Sequence, residues 1–186
     1  MANKVEFGIS NLHVGTYVDD GNGNVTLGTP YHQKGAVSFS PEQDVEDNPF
    51  YADDITYWNE YTEGHFTGDL TVAMFDDDFK TQFLGYVTLT NGGLAQKKGA
   101  TKPNVYVAFQ VQGDAEKRRV IFYNCSLGSI VREFTTVEDA KTPNTEALAV
   151  TCIGDNNNGV MKAVLKPTDS GYDTLFTAPT APTIAP

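Results

Sequence analysis

Stretches in which apolar and polar residues alternate, separated by runs of turn-forming residues, constrain this chain more than any other feature. In residues 12–18 (LHVGTYV) every second position is Leu, Val or Thr, namely Leu12, Val14, Thr16 and Val18, and the turn-rich run 19–24 (DDGNGN) leads into Val25–Leu27. Period-two alternation is typical of a half-buried strand, and a turn between two such strands predicts a hairpin. We therefore expect an antiparallel hairpin here.

The same pattern recurs along the chain. A long strand with one apolar face is predicted from Phe66 to Met74. A second hairpin joins Val105–Val111 to Val120–Tyr123 through 112–119 (QGDAEKRR), and a third joins Thr145–Ile153 to Val160–Lys166 through 154–159 (GDNNNG). Because strands alternate with turns rather than with long helices, we expect a mainly β fold, an antiparallel β-sandwich or barrel.

One short helix is expected to flank the strands. Its apolar stripe has a phenylalanine at every fourth position: Phe75, Phe79 and Phe83. The aspartates at 76–78 place negative charge at the helix N-terminus, where the dipole is positive, and Gly85 suits the position just past the end. The spacing predicts a helix over about 77–84, packed on the sheet through its phenylalanines.

Between Pro41 and Glu63 the alternation is lost, yet the segment is rich in aromatic and acidic residues. Its aromatic residues are Phe50, Tyr51, Tyr57, Trp58 and Tyr61. Such a composition is too aromatic for a disordered linker, and rigid aromatic side chains are the usual anchors of protein interfaces. The segment is expected to be an extended arm or long hairpin that packs on a neighbouring subunit, or else to fold back on its own sandwich.

Charge is unevenly distributed along the sequence. The net charge is -11, and of the 24 acidic residues twelve lie between Glu42 and Asp78 with no Lys or Arg among them. The bases that could meet such an acidic surface are Lys97, Lys98, Lys102, Lys117, Arg118 and Arg119. This asymmetry suits head-to-tail contact between copies, although two solvated faces of a monomer would give the same pattern. The acidic balance opposes nonspecific binding to DNA or to an anionic membrane.

The sequence carries no catalytic or metal-binding motif. His13, His32 and His65 do not lie at metal-helix spacing, and the acidic pairs are too unspecific to predict a calcium site or an acid–base hydrolase. We expect no enzyme activity, no cofactor and no metal. Cys125 and Cys152 allow one disulfide at most, and free thiols are the simpler expectation. No stretch reaches the roughly 18 apolar residues of a membrane span, so a soluble, unsecreted protein is expected.

Several long stretches resemble one known family. They read KVEFGISNLHVGTY, LGTPYHQKGAVSFSPEQ, FYADDITYWNEYTEG, GDLTVAMFDDDFKTQFLGY and GDAEKRRVIFYN, in this order. They are similar to the major tail proteins of long-tailed phages of Gram-positive hosts, of the phi13 type. The resemblance runs from about Lys4 to Phe176.

The resemblance implies a tail-tube β-sandwich domain over 1–176, with the arm at 41–63, and a Pro-rich tail at 177–186. It implies a subunit that forms hexameric rings, which stack into the tube through which the genome passes. The expected partners are other copies of the chain, a tape-measure protein, and the tail terminator and distal tail proteins. DNA would pass through the lumen without specific binding. The protein would reside in the virion tail after assembly in the host cytoplasm.

An alternative function is a carbohydrate-binding β-sandwich module of a virion or cell surface. In that case Tyr51, Tyr57 and Trp58 would form a stacking platform for sugar rings. Such a platform has to be exposed and preformed in the monomer, whereas an assembly arm is expected to be mobile until its neighbours cover it.

Overall fold

A computed structural model describes residues 8–134 and 143–185 of the chain. In chain order its elements are β1 (Gly8–Asp19), β2 (Val25–Leu27), β3 (Tyr31–His32), β4 (Ala36–Ala52), β5 (Ile55–Val72), α1 (Asp77–Phe83), β6 (Tyr86–Thr88), β7 (Leu94–Gln96), β8 (Val105–Gln112), β9 (Arg119–Arg132), β10 (Glu146–Cys152) and β11 (Lys162–Leu165). The predicted mainly β fold with one short helix is confirmed.

The strands form one large antiparallel sheet and one small one. The large sheet has nine strands in the order β2-β1-β8-β9-β10-β5-β4, with β3 also pairing with β1 and β11 with β9. Strands β6 and β7 pair with each other. In the described part of the chain β2 and β4 stand at the two ends of this order and do not pair with each other, so the sheet is not closed into a barrel. Of the two architectures expected, a sandwich-like one fits.

Two of the predicted hairpins are present. Strand β1 pairs with β2, with Tyr17 opposite Leu27, and β8 pairs with β9, with Gln110 opposite Arg119. In the first turn Asp20 accepts hydrogen bonds from the backbone N–H groups of Asn22 and Asn24. An Asp that binds the backbone two residues on is what the turn chemistry of this run predicts.

The third predicted hairpin is wrong. Strand β10 pairs with β5 and β9, and β11 pairs with β9 rather than with β10. Because Cys152 lies opposite Cys125 and Lys162 opposite Phe122, β10 and β11 lie end to end along the same edge of β9. Residues 153–161 leave the edge of β9 after β10 and return to it at β11. The predicted turn is therefore an excursion between two strands that lie in line, and not a hairpin turn.

The helix is present at Asp77–Phe83, close to the predicted limits. Phe75, Phe79 and Phe83 are all buried in the main hydrophobic core, as the stripe predicts. Gly85 has a φ of 69°, the left-handed conformation that glycine adopts just past a helix end. The Asp76 side chain makes no capping hydrogen bond to the helix; it accepts one from the Tyr31 hydroxyl at 3.1 Å instead.

The main core lies between α1 and one face of the large sheet. It is built from alternate residues of β1, β5, β8, β9 and β10 together with the helix phenylalanines. A second cluster lies on the opposite face, where Tyr106 and Ile121 pack with Leu175 of the C-terminal segment. The sheet is therefore covered on both faces where β1, β8 and the first half of β9 run.

The C-terminal segment is held by stacked rings and a guanidinium group. Arg119 lies over the rings of Tyr172 and Phe176, at 4.0 and 4.5 Å from their centroids. His13 stacks on Phe176 at 4.5 Å and on His32 at 4.7 Å, and burial lowers the pKa of His13. Described residues of the Pro-rich tail form no helix or strand.

The tail is nevertheless attached to the domain, since the Asn158 side chain donates to the Pro182 carbonyl at 2.7 Å. The division into a 1–176 domain and a 177–186 tail stays a prediction.

The two cysteines are neighbours. Cys125 and Cys152 are directly opposite each other on β9 and β10, with their Cα atoms 3.9 Å apart, and they form a disulfide. The expectation of free thiols is wrong for this structure. It failed because sequence spacing does not reveal which residues a sheet register brings together.

Replacing Phe79 by Ala should destabilise the fold by about 3–5 kcal/mol, because the side chain is fully buried among core rings and its removal leaves a cavity. Denaturant unfolding of the two proteins measures this difference. The matched control is Phe50→Ala, whose ring is 58% exposed and whose loss should change stability by no more than about 0.5 kcal/mol. Equal losses for both variants would contradict the placement of the helix.

Candidate assembly surface

The segment rich in aromatic and acidic residues forms a long hairpin that projects from the sheet. Strand β10 pairs with β5 only from Phe66 to Val72, and beyond Phe66 strands β4 and β5 pair with each other as far as Ala52 and Ile55. Asp53 and Asp54 form the turn with φ values of 52° and 60°, and such left-handed pairs suit a tight hairpin. Of the two expected arrangements, the structure has the projecting one. We call residues 41–63 the arm.

The arm leaves its aromatic side chains in solvent. The exposed fractions are 58% for Phe50, 64% for Tyr51, 73% for Tyr57, 53% for Trp58 and 64% for Tyr61. Large aromatic side chains exposed together on one projecting segment indicate a site of interaction. Whether these side chains anchor a subunit contact stays a prediction.

The register divides the aromatic residues between the two faces of the hairpin. Phe50 lies opposite Trp58, so both side chains point to the same face. Tyr51 follows Phe50 on β4 and points to the other face, as does Tyr61, which lies opposite Asp47. Two members of the proposed sugar platform, Tyr51 and Trp58, therefore point to opposite faces of the hairpin.

The arm is also strongly acidic. Eight carboxylates are exposed along it: Glu42, Asp44, Glu46, Asp47, Asp53, Asp54, Glu60 and Glu63. They lie on both faces of the hairpin and at its tip. The arm therefore presents rigid aromatic rings within a negative field, which suits a partner surface with apolar pockets and positive charge.

Three of the six predicted basic contacts are engaged within the chain. The Arg118 Nε lies 2.6 Å from an Asp114 carboxylate oxygen, and this ion pair holds the pKa of Asp114 well below its usual range. Arg119 lies under the C-terminal segment, as described above. The Lys102 ammonium donates to the backbone carbonyls of Leu127 and Gly128, and burial lowers its pKa. Lys97, Lys98 and Lys117 are exposed.

The arm and the exposed pair Lys97 and Lys98 lie at opposite ends of the sheet. One row across the sheet contains Val105, Cys125, Cys152 and Phe66. From this row, β5 leads back into the arm in the same direction as β8 leads forward to its turn with β9. The arm and that turn therefore lie at the same end of the sheet. The connection 97–104 precedes Val105 and so lies at the other end.

One buried polar cluster has no signal in the sequence beyond a turn composition. Asp155, at the start of the 153–161 excursion, accepts a hydrogen bond from the Tyr17 hydroxyl at 2.8 Å, and burial raises the pKa of Tyr17 to about 12. The side chain of Asn124 donates to the carbonyl of Gly154 at 3.0 Å. These bonds satisfy buried polar groups and fix the excursion to the sheet, which is a structural role.

Other kinds of site are not formed by residues 8–134 and 143–185. Nowhere in these ranges do three or more His, Cys, Asp or Glu side chains come together in a way that could hold a metal ion. Their helices include none with the length and apolar character that crossing a membrane requires. The projecting arm is thus the candidate site that the geometry supports.

Comparison with known proteins gives one family match and several structural ones. A family model described as phage tail tube protein matches residues 2–157. No curated protein gives a significant match to the sequence.

The tube-terminating cap of the anti-feeding prophage is similar in structure, with a TM-score of 0.51 and 7% identity over 89% of this chain and 96% of that one. This likeness concerns the fold alone. A chain of the sheath–tube complex of an extracellular contractile injection system matches with a TM-score of 0.46 and 8% identity, over 84% of this chain and 88% of that one.

Proposed function

Because this chain belongs to the phage tail tube protein family, we propose that it is a structural subunit that assembles into stacked hexameric rings and so forms the conduit for genome delivery. The observation that carries the proposal is the projecting arm, with five aromatic side chains that are each more than half exposed. Assignment to the phi13 type of long-tailed phages is supported by the sequence stretches quoted above. The protein would work in the virion tail, after assembly in the host cytoplasm.

The arm supplies the anchors of the subunit contact. Burying exposed aromatic rings against a neighbour removes apolar surface from water, and a ring at the centre of an interface contributes about 1–4 kcal/mol on truncation. Strands β4 and β5 are paired to the tip, so the arm carries its rings away from the core to where a neighbour can cover them. An exposed arm of this kind is thus well suited to association.

Sheet edges close each ring. In the described chain β2 and β4 end the order of the large sheet, and an unpaired edge exposes backbone N–H and C=O groups. Pairing such edges between neighbours would satisfy these groups, and rotational symmetry would leave no edge free. Pro41 and Pro49 on β4 have no N–H to donate, which limits where another strand can pair.

Charge orients the stacking of rings. The acidic arm leaves one end of the sheet, and Lys97 and Lys98 lie exposed at the other. Copies stacked head to tail would bring these opposite charges together, whereas copies stacked head to head would bring the acidic arms together. Lys117 lies between β8 and β9, at the end of the sheet from which the arm projects. It would meet a carboxylate of a neighbouring subunit in the same ring.

The tube would act as a passive conduit. A wall with exposed carboxylates repels DNA phosphates, so the genome passes without adhering. We assign no reaction, cofactor or metal to this subunit. The same stacking surfaces would meet the terminator and distal tail proteins at the tube ends, and the tape-measure protein would occupy the lumen before DNA does.

Replacing Trp58 by Ala should weaken assembly by about 1–4 kcal/mol while leaving the free subunit folded, because the indole is exposed in the monomer and buried only against a neighbour. Sedimentation at rising protein concentration measures the assembly. Trp58 is the sole tryptophan, so acrylamide quenching of its fluorescence should fall when the wild type assembles.

Val87→Ala is the matched control, since Val87 is 41% exposed but lies outside the arm. It should leave assembly unchanged. Normal assembly of the Trp58 variant, or quenching that is equally strong before and after assembly, would show that the arm does not anchor the contact.

High salt should weaken stacking, because screening reduces attraction between the acidic arm and the lysines of the next ring. Lys97→Glu with Lys98→Glu should weaken it further at low salt, by roughly 0.4–2 kcal/mol in total. Light scattering across a salt series measures both effects, with Lys34→Glu as a control at an exposed lysine outside the proposed contact, whose charge change equals that of each single substitution. Assembly that strengthens with salt would indicate an apolar stacking surface instead.

A further inference from the structure

Three asparagines in this sequence are each followed by a glycine: Asn22, Asn91 and Asn158. In such a pair the asparagine side chain can react with its own backbone, because glycine has no Cβ to hinder the approach of its backbone nitrogen. All three pairs lie outside the helix and the strands, in the connections β1–β2, β6–β7 and β10–β11. Their surroundings differ, and these decide which asparagine can react.

The reaction replaces ammonia by water. The glycine nitrogen loses its proton and attacks the asparagine Cγ, a five-membered succinimide ring closes, and the Cγ–Nδ2 bond breaks so that Nδ2 leaves as ammonia. Water then opens the ring. Breaking the new bond between nitrogen and Cγ gives aspartate, whereas breaking the original peptide bond gives isoaspartate, whose backbone is one methylene longer. The reaction therefore needs a free glycine N–H and a side chain that can turn toward it.

Asn91 lacks both requirements. The Gly92 N–H donates to the Leu89 carbonyl at 2.9 Å, so this nitrogen is already engaged. The Asn91 side-chain oxygen accepts a hydrogen bond from the Gly93 N–H at 3.0 Å, which holds the amide group in place. Both bonds have to break before the ring can close.

Asn158 is held more firmly still. The Gly159 N–H donates to the Asp155 carbonyl at 2.8 Å. The Asn158 side chain accepts a hydrogen bond from the Val160 N–H at 3.0 Å and donates one to the Pro182 carbonyl at 2.7 Å. This asparagine is therefore fixed on both sides of its amide group.

Asn22 has neither restraint. It lies in the exposed turn between β1 and β2. No residue that the structure describes accepts a hydrogen bond from the Gly23 N–H, and none donates one to the Asn22 side-chain oxygen. The Asn22 amide nitrogen donates to the Asp20 carbonyl at 3.3 Å, which is longer than the usual range for such a bond.

We propose that Asn22 is a site of spontaneous deamidation by water, and that the modified residue loosens the turn that holds β2 at the edge of the sheet. The Asp20 carboxylate organises this turn, since it accepts hydrogen bonds from the backbone N–H groups of Asn22 and Asn24 at 2.8 and 3.1 Å. An extra backbone methylene after residue 22 shifts Asn24 away from Asp20. The new carboxylate also adds a negative charge beside that of Asp20.

Strand β2 has little else to hold it in register. It pairs with β1 through three residue pairs, from Asp19 opposite Val25 to Tyr17 opposite Leu27, and it stands at one end of the sheet order. Loosening the turn therefore frees an edge strand. The inference concerns the chain itself and does not depend on ring formation.

Timed peptide mass spectrometry of the native protein in a mildly alkaline buffer tests the proposal. Each deamidation raises the mass of a peptide by about one dalton, and fragmentation assigns the change to one asparagine. The same protein unfolded in urea is the matched control, because there all three pairs lose their hydrogen bonds and should react at similar rates.

In the native protein we expect Asn22 to react faster than Asn91 and Asn158 by roughly two- to tenfold or more, since each of those has to break at least one hydrogen bond first. A mildly acidic buffer should slow the reaction, because the glycine nitrogen then loses its proton less often. Equal native rates at the three sites, or a slower rate at Asn22, would overturn the assignment of the site.

Hydrogen exchange tests the structural consequence. After ageing, exchange at Val25–Leu27 should be faster in the wild type than in an Asn22→Gln variant, whose longer side chain would have to close a less favourable six-membered ring. The two proteins should exchange alike before ageing. Exchange at β2 that stays unchanged in fully deamidated protein would show that the modification does not loosen the edge strand.

Discussion

The pairing between β4 and β5 is the interaction on which the other features depend. It begins in the core, where Leu70 and Val72 are buried, and continues through three shifts of register to the turn at Asp53 and Asp54. One end is therefore fixed by burial of apolar side chains, and the other is held in solvent by backbone hydrogen bonds and by side-chain ones such as that from Asn48 to Thr62. This is how a small domain can present an arm well beyond its own core.

The sheet assigns different roles to its surfaces through side-chain size. Large apolar side chains lie on the core face and under the C-terminal segment, where they are covered, while the opposite face of β4, β5 and β10 carries small or polar side chains such as Ser40, Asp69 and Ala149. The exposed aromatic rings are concentrated on the arm. One period-two pattern, read on two faces of the same strands, thus separates a buried surface from one that stays in solvent.

Much of this architecture could be predicted from the sequence because burial on one face is a local property. Alternation predicted β1, β8 and the hairpins they start, and the phenylalanine stripe predicted α1. Pairing partners are not local: β10 and β11 share the edge of β9, so the third hairpin was wrong, and the disulfide follows from the same register. The arm was predicted as one of two alternatives. Nothing in the sequence predicted that Arg119 would lie under Tyr172, 53 residues away, because only the folded chain brings them together.

Electron microscopy of the purified protein at rising concentration, with light scattering on the same samples, tests the central claim most directly. A subunit with an exposed aromatic arm and free sheet edges should give rings or hollow tubes of a single diameter above a threshold concentration. A monodisperse monomer at every concentration would contradict an account in which the arm and the sheet edges are sufficient for self-assembly.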